Sequence, residues 1–305
     1  DARASLRTLP GAARAVGGML AAALFAVALA VQPYWDNRVD SAEKALDPVN
    51  YPGARAIQGA QVPNVKPQPN PNLIAGVFPP IGLDDCMIFL PEAPDAMPGP
   101  DCTYGDLTAE TTIVLAGGSH IEPFIVPLDK LGKEHHFKVA TFVRQECPLV
   151  VGGPLDPANE IVSPECAEWG ENAMQEIINL QPAMVISTST RPAGHAGDGR
   201  VSADYVPEAY ANLWQRLAEL GIPFVGLRDN PWMFTPTGEP MDPNLCIVAG
   251  YSEHDCSMAA DMVYAPEDPA AELIDAAFAQ WEIDTAGWYC ICLLYTSPSP
   301  RDGLL

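Results

Sequence analysis

Ser119 follows two glycines and precedes His120 at the end of the stretch Thr111 to His120, TTIVLAGGSH. A serine on a sharp glycine turn is uncrowded by neighbouring side chains, and its own N–H is free to face a developing oxyanion. These residue types therefore suit nucleophilic attack on an acyl carbon. The same Gly117-Gly118-Ser119 run also reads as a plain strand-to-helix turn with Ser119 as helix N-cap. Nucleophilic chemistry needs a base for the hydroxyl proton, and the chain has five histidines. His120 is expected to point away from the serine it follows, while His135 and His136 sit at a helix end. His195 lies in a Gly-rich loop, and His254 lies between two cysteines. Each reads as a surface histidine, so no base is identified and the chain is expected to transfer no acyl group at an appreciable rate.

The elements that must position Ser119 alternate in period. Thr112 to Leu115 is an apolar β-branched run suited to a strand buried on both faces. A helix over 122–134, a strand over 137–143, a helix over 165–180 and a strand over 183–189 follow. The clearest helix is 205–220, with Val206, Tyr210, Leu213, Trp214, Leu217 and Leu220 on one face. A strand over 222–227 and a last helix over 268–281 complete the pattern. Strands alternating with helices predict an α/β fold, a three-layer α/β/α domain around a central parallel sheet.

Composition narrows the partners. The chain has 305 residues, 48 % of them hydrophobic, enough for one main core with appendages. Its net charge is −23 with only 16 Lys and Arg, which excludes nucleic acid as a partner by repulsion. Residues 15–31 carry no charge and follow Arg3, Arg7 and Arg14, which predicts a transmembrane helix with the rest of the chain outside. A signal peptide cut near Ala28-Leu29-Ala30 is the other reading, and it exports the chain equally. Residues 36–81 are proline-studded and read as an extracytoplasmic linker. Cys86 with Cys102, Cys147 with Cys166, and Cys246 with Cys256 bracket local loops, and three disulfides are the simplest arrangement in an exported chain. No spacing of zinc-ligand type occurs, so neither a metal nor a cofactor is expected.

Several segments, in order, resemble one family. The GGSH of residues 117–120 is similar to the Gly-Asp-Ser-His block of the SGNH (GDSL-like) esterases and acyltransferases, with Gly118 in place of the aspartate. Arg144-Gln145-Glu146-Cys147-Pro148, Cys166 with Trp169, Arg228-Asp229-Asn230-Pro231 and the run Asp284 to Cys290 resemble the SGNH domains carried at the C-terminus of type-3 membrane acyltransferases. Tyr51-Pro52-Gly53-Ala54 resembles a motif after the last membrane helix of those proteins. The resemblance implies an SGNH-like domain over 82–291, preceded by a membrane flank over 1–35 and the linker. It also implies further membrane spans before Asp1, and a closing Asp-x-x-His block that supplies the base and is absent here. Residues 292–302, CLLYTSPSPRD, match the translation of a sequencing adapter, so 292–305 is expected to be a non-native tail.

By this resemblance Ser119 is the acyl-accepting nucleophile beside His120. The oxyanion donors are sought at Gly118, Gly152 and Thr190, and Arg191 is the candidate for steering substrate. The implied function is transfer of an acyl group, delivered by a membrane acyltransferase domain, to a cell-envelope glycan. A glycan-binding module without chemistry and a secreted esterase are the alternatives.

Overall fold

The computed structural model describes residues 11–44, 47, 49–51, 61, 63–65, 78–152, 163–192, 203–233, 241–252, 255–274, 278–291 and 294–295. Helix α1, Gly11–Lys44, runs on beyond the apolar stretch predicted for it and takes in Pro33. Its segment Ala15–Asn37 is long and apolar enough to cross a membrane, and none of its most apolar window is buried against the rest of the chain.

The central sheet is built on five parallel strands. These are β3 (Thr112–Gly117), β4 (Lys138–Arg144), β5 (Met184–Thr188), β8 (Phe224–Leu227) and β9 (Gln280–Ile283), in the spatial order β4-β3-β5-β8-β9. Two short strands, β1 (Met87–Ile88, parallel) and β2 (Thr103–Gly105, antiparallel), pair with opposite ends of β4. A hairpin of β6 (Arg191–Pro192) and β7 (Asp204–Tyr205) stands apart from the sheet.

Strand periodicity of two distributes the core between two faces. Val114, Ala116, Ala140 and Phe142 turn to one side, where Trp169, Met174 and Ile177 of α3 (Pro164–Leu180) and Leu213, Trp214 and Leu217 of α4 (Glu208–Glu219) cover them. Leu115, Val139, Val143 and Ile186 turn to the other, against Ile121, Phe124 and Ile125 at the start of α2 (Ile125–His135). The expected three-layer α/β/α arrangement is therefore present. All three predicted cysteine pairs are joined as disulfides. The bridge Cys147–Cys166 ties the loop after β4 to the first turn of α3, whose N-cap Ser163 accepts the Cys166 N–H at 3.2 Å.

The last predicted helix is corrected. Residues 280–283 form β9 instead, paired in register with β8 from Phe224↔Gln280 to Leu227↔Ile283. Ala279, at φ 55°, takes the left-handed conformation just before it, and the buried Gln280 side chain donates to the Trp214 carbonyl at 2.8 Å. The outer edge of β8 carries backbone groups that need partners, and a short segment with alternating polar and apolar residues satisfies them in extended form.

One buried acid in this frame has a measurable consequence. The Glu122 carboxyl, sealed against α2 and accepting the Gly82 N–H at 3.0 Å, is pushed up to about 7 by desolvation. The folded state thus binds a proton that the unfolded chain has already released at mildly acidic pH. The associated stability is complete below the ordinary glutamate range and is lost as pH rises to about 7. Glu122→Gln, which keeps an acceptor for Gly82, is expected to flatten the pH dependence of the unfolding midpoint across that window. An unchanged slope would show that another group sets it.

Candidate active site

The chain order of the five parallel strands reverses at β3, so the crevice between the carboxyl ends of β3 and β5 is the topological switch point where open α/β sheets take ligands. Ser119 and His120 leave the end of β3, and Ser189, Thr190 and Arg191 leave the end of β5. The residues 228–232, Arg-Asp-Asn-Pro-Trp, leave β8 beside them. Gly117, at φ 148°, turns the chain out of β3 in a conformation that side-chain-bearing residues rarely adopt. A Cβ on Gly118 would meet the Cys147 carbonyl oxygen at 3.4 Å, an ordinary contact, so space alone does not exclude a larger residue there. Ser119 is exposed, and its carbonyl accepts the Glu122 N–H at 3.3 Å, which starts the turn into α2.

His120 is not the free surface histidine expected from sequence. Its Nδ1 lies 2.9 Å from Oδ1 of Asp229, its side chain is one-third exposed and that of Asp229 only 6 %. The carboxylate is held on all sides. Oδ1 also accepts the Asn230 N–H at 2.9 Å, and Oδ2 accepts the Trp232 indole N–H at 2.9 Å. The Asp229 N–H donates to the Thr190 hydroxyl at 3.0 Å, and its carbonyl accepts from Tyr264 at 2.8 Å. A carboxylate fixed in this way sets the orientation of the imidazole it binds and leaves Nε2 as the nitrogen for proton transfer. Among the described residues no hydrogen-bond partner takes Nε2.

Trp232 and Arg191 extend the site. The imidazole of His120 lies 4.8 Å from the Trp232 ring, and the Arg191 guanidinium lies 5.1 Å from the centroid of that ring. Tyr210, which feels the Arg191 charge, is buried, and that burial raises its hydroxyl above the ordinary phenol range.

The remaining candidates are placed elsewhere. Thr190 is fully buried with its hydroxyl oxygen given to the Asp229 N–H, so it props Asp229. The Gly152 N–H donates to the Glu171 carboxylate at 2.8 Å and its carbonyl accepts from Asn212, so the structure does not bring it to Ser119 as an oxyanion donor. The six disulfide cysteines lie in bridges outside this cluster. His136 pairs with Asp106 at the surface, His135 is exposed, and His195 and His254 fall outside the described residues. Asp229 and Trp232 are the site residues missed from sequence. A polar-aromatic run at the carboxyl end of a strand was the available signal, since that is where such sheets place ligand contacts.

Two buried clusters support this floor. Arg228, 2 % exposed, holds Asp204 through two hydrogen bonds of 2.8 and 3.0 Å and stacks 4.6 Å over the Tyr264 ring. Ser189 donates to Glu282, whose carboxyl is pushed up to about 9 by desolvation.

The family model described as SGNH domain (fused to AT3 domains) matches residues 86–293. No curated protein matches the chain. Among solved structures, the chain is similar to the periplasmic domain of the Salmonella ser. Paratyphi A lipopolysaccharide acetyltransferase. The identity is 11 % and the TM-score 0.38, over 65 % of this chain and 81 % of that one.

Proposed function

The chain belongs to the SGNH domains that are fused to AT3 domains, and from that membership we propose that it is the extracytoplasmic part of an O-acyltransferase acting on a cell-envelope glycan. Ser119 accepts the acyl group, and His120, oriented by Asp229, handles the proton. The observation that carries this reading is the 2.9 Å pair of His120 with a buried carboxylate, one residue from an exposed serine at the switch point of the sheet. In the first step the Ser119 oxygen bonds the acyl carbon while its proton passes to Nε2, and the donor oxygen leaves with that proton. In the second, a glycan hydroxyl gives its proton to Nε2, takes the acyl carbon and restores Ser119. The acyl donor is supplied by the membrane acyltransferase domain. Three disulfides, and a charge-free helical segment that follows Arg14, support anchoring through α1 with the domain on the outer side.

A second reading has its own support. The Gly152 N–H is spent within the fold and the Thr190 hydroxyl is buried with its oxygen accepting the Asp229 N–H, while a glycan-binding module needs no oxyanion hole at all. Incubating the chain with an activated acetyl ester and mapping the digested protein by mass separates the two. Catalysis predicts a transient acetyl adduct on the peptide containing Ser119. Glycan binding without any adduct moves the assignment to the binding module.

A further inference from the structure

Arg191 is a cation of the site that takes no carboxylate among the described residues. The chain carries 39 Asp and Glu against 16 Lys and Arg, so a guanidinium has many carboxylates to choose from. Arg228, one strand away, is sealed between Asp204 and Asp284, and Arg216 lies against Glu171. Among the described residues no carboxylate pairs with Arg191. It is instead partly exposed and lies against a neutral group, the Trp232 ring face, while the carboxylate of the cluster, Asp229, is occupied by His120, Asn230 and Trp232.

This arrangement differs from an ordinary surface arginine. A guanidinium stacked on an aromatic plate keeps its charge and is pre-oriented, so little rotamer freedom is lost when it engages a planar oxyanion through its remaining N–H groups. The net charge of −23 repels anions at a distance, so an anion reaches this crevice only where a local, pre-oriented cation outweighs that field. His120 and Arg191 contact the same indole, which puts the reacting end of the site and the cation on the scale of one pyranose with its substituents.

We infer that Arg191, presented by Trp232, forms a subsite for an anionic oxyacid group, carboxylate or phosphate, borne by the sugar that enters beside Ser119. This narrows the acceptor of the proposed reading from a glycan to an acidic glycan and rests on that reading for the identity of the site. It is tested by binding alone, so its failure is distinct from a failure to find the acetyl adduct.

The full chain in detergent micelles is titrated calorimetrically with methyl β-glucuronide, glucose 6-phosphate, methyl β-glucoside and inorganic phosphate. At least one acidic sugar is expected to bind roughly 10- to 100-fold tighter than the neutral glucoside, the increment of a charge-assisted hydrogen bond. Which of the two does so identifies the anion. Arg191→Gln is expected to abolish that preference, bringing the acidic sugar to the affinity of the glucoside, and Arg191→Lys to retain only part of it, because the planar fork is lost and the charge kept. A thermal melt of each variant verifies the fold. Equal affinity for acidic and neutral sugars, an undiminished preference in Arg191→Gln, or inorganic phosphate binding as tightly as the sugar phosphate would each overturn the assignment.

Discussion

Ser119→Ala is expected to remove acyl transfer and acyl labelling altogether, and His120→Asn to lower the rate about 10²- to 10⁴-fold, the usual worth of a positioned general base. The asparagine substitution is chosen because its amide N–H can still be given to Asp229, which lies 2.9 Å from the imidazole in the parent, whereas nothing replaces Nε2. Loss of rate then reports proton transfer and not collapse of the Asp229 cluster. Asp229→Asn should cost a substantial part of the same factor. The amide keeps one acceptor for the Asn230 and Trp232 donors, but it removes the carboxylate that fixes the imidazole and stabilises its protonated form. Because residues that act as a unit are not additive, the double variant His120→Asn with Asp229→Asn is expected to be little slower than His120→Asn alone. Single-turnover acetyl transfer decides the matter. A rate unchanged in His120→Asn would remove His120 from the mechanism and leave Ser119 dependent on a different base.

The largest stability effect is expected at Arg228. Its guanidinium is 2 % exposed, bonds both oxygens of Asp204, reaches Asp284 at 3.3 Å and donates to the Ala265 carbonyl at 2.8 Å. Arg228→Met removes the partner of a carboxylate that is itself only 2 % exposed and leaves that charge uncompensated, a change that costs about 3–5 kcal/mol in buried pairs. Adding Asp204→Asn should recover part of the loss. The amide oxygen can still accept the Ala265 N–H, bonded at 2.7 Å in the parent, without a buried charge. Urea unfolding of the two single variants and the double gives the coupling directly. Simple additivity would mean that the pair does not act as a unit. Arg228 also precedes Asp229 in the chain, so the single variant should lose acyl transfer under conditions where it is still folded.

Much of this protein was legible before any coordinates. The alternation of strand and helix over 112–227 carried the three-layer fold, because a period of 2 against 3.6 states which face each segment must bury. The disulfide pairs were legible because each closes a local loop, and the helix near the N-terminus because an apolar run without a polar face is helical whether it anchors the chain or acts as a signal peptide. Ser119 was legible because two glycines at a strand end announce an exposed turn. What depended on the tertiary structure were the long-range choices. Gln280–Ile283 became a strand because the open edge of β8 was there to be paired, a circumstance that its own sequence does not contain. Gly152 was a chemically plausible oxyanion donor, yet Glu171 had already engaged its N–H, and Thr190 came to lie buried against the Asp229 N–H. His120 and Asp229 lie 109 residues apart, and they meet only because β3 and β8 end on the same rim of one parallel sheet. Residue type and local period are properties of a segment and survive its isolation, whereas the partner of a buried polar group is selected among everything the fold brings within hydrogen-bond reach.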